Sequence, residues 1–147
     1  SQPKSGPNGS GATRVIGELY PFGFGLSYTT FAYSDLEVSP LRQRTQGEYT
    51  VKVNVTNTGK RAGDEVVQLY VRDKVSSVIT YDSQLRGFER ISLKPGETRQ
   101  VTFSLKPEDL QILDRNMNWT VEPGEFEVMI GASSQDIRLK KTITALP

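Results

Sequence analysis

The sequence predicts an all-β sandwich of two packed antiparallel sheets with about seven or eight strands. Several segments alternate apolar and polar residues, the period of a strand with one buried face. Gly, Pro and Asn separate these segments at the spacing typical of a sandwich. Only one short stretch has helical character. A chain of 147 residues has room for one domain around one core.

The first strand is predicted at FAYSDLEVS, residues 31–39. The clearest strand begins at Tyr49, where every second residue to Val55 is apolar and those between are polar. Asn57-Thr58-Gly59 then supplies turn residues. EVVQLYVR follows as a second alternating strand, with three residues on its apolar side: Val67, Leu69 and Val71.

Two Pro-Gly pairs, at residues 95–96 and 123–124, suit the central positions of type II turns, because Gly tolerates positive φ at the second of them. Each pair leads into an alternating strand. The glutamates that follow, Glu97 and Glu125, are therefore interpreted as turn residues and not as catalytic acids.

The helical stretch is KPEDLQILDRN, where Pro107 suits a first turn and the acidic residues after it suit a helix amino end. It is too short to form a layer. The last strand is predicted at DIRLKKTIT, residues 136–144. Its apolar face is interrupted by Lys141, which is typical of an edge strand that resists further pairing.

Composition excludes several kinds of chemistry. The chain has no cysteine and no histidine, which removes disulfides, thiol nucleophiles and Ser-His pairs. Its 18 basic and 17 acidic residues are interspersed, which argues against nucleic acid as a partner, and no apolar run is long enough to cross a membrane. Adjacent carboxylates at Asp64-Glu65 would point to opposite faces of a strand. No catalytic, metal-binding or cofactor-binding residue is predicted, and no cofactor.

Residues 1–18 are rich in Gly, Ser and Pro and are predicted to form a flexible linker. Residues 19–31 form an aromatic junction segment, and residues 32–147 the sandwich. Within YPFGFGLSYTTF, five aromatic residues surround two glycines without the period of a strand or a helix. The segment either covers one end of the core or docks onto a partner. Five aromatics bury on the order of 750 to 1,250 Å², which is more than a loop that caps so small a domain needs. Docking onto a partner is therefore favoured.

Three aromatic residues elsewhere are candidates for sugar stacking. Trp119 shares its strand parity with Met117 and Val121, so core packing is the favoured interpretation and ligand stacking the alternative. Tyr70 and Tyr81 are expected to be exposed, on the outer side of a strand and in a loop.

Four segments taken together resemble a known family: PFGFGLSYTTF, VKVNVTNTGKRAGDEVVQLYVRD, LRGFERISLKPGETRQVTFSL and NWTVEPGEFEVMIGASSQDIRL. Their order and spacing are similar to the fibronectin type III-like domain at the carboxyl end of family-3 glycoside hydrolases, such as β-glucosidases and β-xylosidases. The resemblance runs from about Leu19 to Thr144. Each motif alone is weak, but the set is specific.

The resemblance implies a terminal, non-catalytic module of an enzyme that removes sugars from the non-reducing ends of β-linked oligosaccharides. The family's nucleophile and its acid/base lie on preceding domains, so neither role transfers to any residue here. Those upstream catalytic domains are the implied partner, and the implied location is the periplasm or outside the cell, bacterial rather than eukaryotic. The implied domain interface is Tyr20, Phe22, Gly23, Phe24, Gly25, Leu26 and Tyr28.

Two other functions stay open at this point. The first is a carbohydrate-binding or surface-tethering module that presents Tyr70, Tyr81 or Trp119 to a polysaccharide. The second is an enzyme in its own right, which the missing histidine and cysteine and the lack of a convincing carboxylate pair disfavour.

Overall fold

A computed structural model describes residues 29–74 and 83–147. Seven long strands and three short ones occur in that part of the chain, with one turn of helix. The elements are β1 Phe31–Ser39, β2 Arg42–Arg44, β3 Tyr49–Asn57, β4 Gly63–Asp73, β5 Gln84–Leu93, β6 Thr98–Leu105, α1 Pro107–Leu110, β7 Ile112–Leu113, β8 Trp119–Thr120, β9 Gly124–Ser133 and β10 Asp136–Leu146.

Two sheets form the sandwich, as predicted. The three-stranded sheet has the order β1-β3-β6, and the five-stranded sheet has the order β2-β10-β9-β4-β5. All long neighbours are antiparallel, whereas the short β2 pairs in parallel with the end of β10. A separate two-stranded ribbon, β7-β8, lies on the connection between β6 and β9. The fold is therefore the predicted all-β sandwich.

The core follows the predicted alternation. Val51, Val53 and Val55 have no exposed surface, and they face Val67 and Leu69 of the other sheet, which are equally buried. Full burial of one such side chain stabilises the fold by roughly 1.5–3 kcal/mol. These facing rows fix the pairing register, because a shift by one residue would expose them.

β10 is largely an edge strand, as its interrupted apolar face predicts. Its neighbour on one side is β9, and on the other β2 covers only residues 144–146. Lys141 is exposed in the uncovered part. On the buried side, Tyr49 donates a hydrogen bond of 2.9 Å to the backbone oxygen of Thr144, which joins the two sheets.

The two Pro-Gly pairs differ. Gly96 has a φ of 80°, and the N–H of Glu97 donates to the oxygen of Lys94 at 2.9 Å, so the first pair forms the predicted type II turn. The same prediction is wrong for the second pair. Gly124 has a φ of 139° and is the first residue of β9, where it pairs with Ala145 of β10. The strand therefore begins at the position where the second turn residue was expected.

Candidate docking interface

One end of the sandwich, which we call the Asn57 end, comprises Thr29–Phe31, Asn57–Gly63 and Leu93–Thr98. Asn57 has no exposed surface. Its carboxamide oxygen accepts hydrogen bonds from the Thr29 hydroxyl at 2.6 Å and from the N–H of Gly59 at 2.9 Å. Its amide nitrogen donates to the oxygen of Arg61 at 2.8 Å and to that of Leu93 at 3.0 Å. The side chain thus joins three segments with all four of its hydrogen bonds made.

Thr29, the first described residue, is also held by close packing. A Cβ at Gly63 would lie 2.5 Å from the Thr29 methyl group, and a Cβ at Gly59 would lie 2.0 Å from its hydroxyl oxygen. Only glycine leaves room at these two positions. Thr30 makes a further contact at this end, a hydrogen bond of 2.7 Å between its hydroxyl and that of Thr58. The last residues of the aromatic junction segment are therefore fixed at this end.

The first Pro-Gly turn completes the Asn57 end. Backbone hydrogen bonds link the N–H of Asn57 to the oxygen of Glu97 at 3.0 Å and the N–H of Gly96 to the oxygen of Asn57 at 2.8 Å. The Glu97 carboxylate accepts from the N–H of Lys94 at 2.8 Å. This hydrogen bond is the main reason why the pKa of Glu97 lies below its ordinary value. Glu97 thus closes the turn, in agreement with its interpretation as a turn residue.

A partly buried cluster joins the two sheets further along β1. The Tyr33 hydroxyl donates to Glu65 at 2.8 Å, and the Arg138 guanidinium lies 5.1 Å from the centre of the Tyr33 ring. Arg138 also donates to Asp136 at 2.6 Å and to the oxygen of Phe31 at 2.9 Å. Burial raises the pKa of Glu65 and that of Tyr33, whereas the bond from Arg138 lowers the pKa of Asp136.

The neighbouring carboxylate of Asp64 points away from that cluster, as strand alternation predicts. It accepts hydrogen bonds from Arg90 at 2.7 Å and from Ser92 at 2.7 Å on the outer surface. Asp64 and Glu65 therefore do not face one substrate. The chain has a second pair of adjacent carboxylates, Glu108-Asp109. There Asp109 accepts a hydrogen bond of 2.9 Å from the N–H of Lys106 and supports the start of α1.

Two of the proposed sugar-stacking residues lie in the described part of the chain, and both differ from expectation. Tyr70 is 9% exposed, and its hydroxyl bonds to Gln68, so it is buried although it lies on the outer side of β4. Trp119 is 64% exposed, so the predicted core packing is wrong, and Met117, which shares its parity, is 72% exposed. Strand parity misleads here because β8 has only two residues and pairs with β7 outside the two main sheets.

The sequence and the fold of this chain match those of known proteins. Residues 65–134 match the model of the fibronectin type III-like domain. A β-xylosidase from Formosa agariphila is 52% identical over 122 residues, which cover 83% of this chain and 17% of that protein. The chain is a C-terminal fibronectin type III-like domain of the family-3 glycoside hydrolase type. The resemblance seen in the sequence is thereby confirmed.

Two further relatives show the same proportions for the fibronectin type III-like domain. A periplasmic β-glucosidase from Salmonella typhimurium is 46% identical over 122 residues, 83% of this chain and 16% of that protein. The structure of a β-glucosidase from Erythrobacter marinus superposes with a TM-score of 0.76 at 42% identity, covering 86% of this chain and 17% of that one. The chain therefore spans about a sixth of the length of these relatives.

The interface residues predicted for this fibronectin type III-like domain lie outside the described residues, as does Tyr81. These residues are Tyr20, Phe22, Gly23, Phe24, Gly25, Leu26 and Tyr28. The structure describes instead the Asn57 end, to which that segment connects. Sequence reasoning missed Asn57 as a buried residue, although it continues the inward parity of Val51, Val53 and Val55. Within the described ranges, no helix has the length and hydrophobicity needed to cross a membrane.

Proposed function

We propose that this chain is the non-catalytic accessory module of a β-glycosidase, in which it braces and orients the catalytic domains that precede it. The observation that carries the proposal is the proportion of the match, since 83% of this chain corresponds to 17% of a β-xylosidase. A domain with its own core contacts the rest of such a polypeptide through its surface. The names of the relatives, β-xylosidase and β-glucosidase, support β-linked sugars as the parent's substrates.

The docking segment of this proposal is the aromatic junction, centred on residues 20–31. The anchoring of Thr29 supports this assignment. Thr29 is held at the Asn57 end by its hydrogen bond to Asn57 and by its packing against Gly59 and Gly63. A partner bound by the residues before Thr29 would therefore be attached to this end of the sandwich. A non-catalytic role is supported by the engagement of the carboxylates at Asp64, Glu65 and Asp109 with other groups of the fold.

The test is thermal unfolding of the complete polypeptide encoded by the native reading frame. Replacing two aromatics together, Phe22→Ala with Phe24→Ala, is expected to lower the melting temperature by about 2–4 °C or more, with little change in kcat. Met117→Ala, at an exposed apolar residue of the β7-β8 ribbon, is the control and should leave melting unchanged. Unchanged melting of the double variant, or a reading frame without catalytic domains, would overturn the brace.

A second function, polysaccharide binding, is favoured by the exposure of Trp119, since exposed Trp rings are suited to stacking. The domain would then be retarded in gels that contain soluble β-glucan or xylan, and Trp119→Ala would abolish the retardation. Met117→Ala, on the same ribbon, would preserve it. Equal mobility in gels with and without each glycan would exclude this function.

A periplasmic or extracellular location in a bacterium is part of the same proposal. Its support is the Salmonella typhimurium relative, whose name places that protein in the periplasm. Fractionation of the native host, with detection of this chain by a specific antibody, tests it. Recovery from the cytoplasm alone would contradict the location.

A further inference from the structure

The outer face of β4 and β5 carries an apolar surface, which we call the Phe88 face, defined by Val66, Leu85 and Phe88. Phe88 is 68% exposed, Leu85 is 46% exposed and Val66 is 37% exposed. An antiparallel sheet with one solvated face normally shows polar residues there. Exposed apolar residues grouped in this way mark interaction sites.

Pairing of the two strands places these residues together. Phe88 is opposite Gln68, and Leu85 is opposite Tyr70, whose outward ring is buried. Val66, two residues before Gln68, is diagonal to Phe88, within reach of an aromatic side chain. The Asp64–Arg90 ion pair, of 2.7 Å, borders the surface. An aromatic centre with an arginine at its polar rim is the usual composition of a protein–protein contact.

The position of Thr29 indicates which partner covers this face. Thr29 packs against Gly63, the first residue of β4, so a polypeptide that precedes Thr29 reaches the sandwich beside β4. Gln68, across from Phe88, is five residues further along β4, about 17 Å away. A folded domain of about 100 residues has a radius of gyration of about 13 Å, so its width exceeds this distance. A domain that docks beside Thr29 therefore reaches the Phe88 face.

The other exposed apolar pair, Met117 and Trp119, is less favourably placed for such a partner. The β7-β8 ribbon and α1 both follow Leu105, which pairs with Tyr49 at the opposite end of β3 from Asn57. A domain that precedes Thr29 would have to extend along the length of the sandwich to contact them.

We propose that the Phe88 face is a docking surface for the catalytic domains that precede this chain in the same polypeptide. This inference rests on the proposed accessory function and adds to it a second contact, separate from the aromatic junction. A second contact on the Phe88 face fixes the orientation of the domain as well as its attachment.

The test uses thiol alkylation, because the chain has no cysteine of its own. Phe88→Cys and Leu41→Cys are made singly in the complete polypeptide, and maleimide labelling of each site is followed by peptide mass spectrometry. Leu41 is the matched control, since it is an exposed leucine, 48% accessible, outside the Phe88 face. We expect labelling at position 88 to be about tenfold slower than at position 41.

The labelling rates, taken together with the melting of the double variant, distinguish the two proposals. Equal labelling rates, with melting still lowered by Phe22→Ala with Phe24→Ala, would overturn the Phe88 face and leave the accessory function standing. Equal rates with unchanged melting would overturn both. Protection of position 88 that disappears on dilution would indicate a second copy of the chain as the occupant, which also overturns the inference.

Discussion

The hydroxyl of Tyr33 on β1 donates a 2.8 Å hydrogen bond to the Glu65 carboxylate on β4, and this bond links the two sheets of the sandwich. Burial, the largest cause, raises the pKa of Glu65, although Tyr33 and Arg138 act in the opposite direction. A raised carboxyl pKa means that the fold favours the protonated acid. The associated stability is present below the unfolded pKa and is lost as pH rises through the folded pKa.

Glu65→Gln should therefore stabilise the protein at neutral pH and have little effect at pH 4. Glutamine keeps an acceptor for Tyr33 but carries no charge to bury. The difference between the variant and the wild type in free energy of unfolding, measured by urea denaturation, is expected to grow from about pH 4.3, the ordinary value for Glu, toward pH 7.

Glu89→Gln, at an exposed carboxylate on β5, is the control and should change stability by less than about 0.5 kcal/mol at both pH values. A Glu65→Gln variant less stable than the wild type at pH 7 would contradict the direction of the pKa shift.

Asn57→Ala should be strongly destabilising, because it removes four hydrogen bonds at a site without solvent access. Leaving a buried donor or acceptor unpaired costs about 1–3 kcal/mol, so a loss of about 3 kcal/mol or more is expected in urea denaturation. Asn54→Ala is the matched control. Its side chain makes one exposed hydrogen bond, to Asp35, and its loss should stay within about 0.5 kcal/mol. Equal losses of unfolding free energy in the two variants would show that the Asn57 side chain does not hold the Asn57 end together.

Gly63→Ala should destabilise the protein through a clash with one group, the methyl of Thr29, at 2.5 Å. The next nearest atom, on Phe31, is at 3.6 Å, an ordinary contact. Thr29→Ser removes that methyl and keeps the hydroxyl that bonds to Asn57. In a double-mutant cycle the two changes should be less than additive by roughly 0.5–3 kcal/mol. Additive losses would show that Thr29 does not pack on Gly63 in solution.

Two backbone positions with positive φ should respond in opposite directions. Gly96 has a φ of 80° with open space around it, so Gly96→Ala meets no clash but should cost about 1–2 kcal/mol for the left-handed conformation. Met117 has a φ of 65° and an exposed side chain. Met117→Asn should raise the midpoint of urea unfolding, because asparagine tolerates this region better than methionine. Shifts of the same sign in both variants would contradict these conformations.

Much of the fold is readable from the sequence, because period-two alternation states directly which residues of a long strand face inward. The first strand was predicted at residues 31–39 and is found there, and the predicted inward valines of β3 are fully buried. Prediction was less successful for Trp119, because parity has meaning only within a sheet that packs on another. The two-residue β8 has no such neighbour.

By itself, the sequence determined the all-β class, the long strands, the Pro95-Gly96 turn and membership of the fibronectin type III-like family. The class, the strands and the turn depend on local pattern and on local backbone preference, whereas the family membership depends on the resemblance of four segments to a known family. Only the tertiary structure decided that Asn57 joins three segments, that Glu65 meets Tyr33 across the sandwich, and that Phe88 is left uncovered. The first two relationships depend on contacts between residues 28 to 36 positions apart, and periodicity within a strand carries no information about which distant residue will lie opposite.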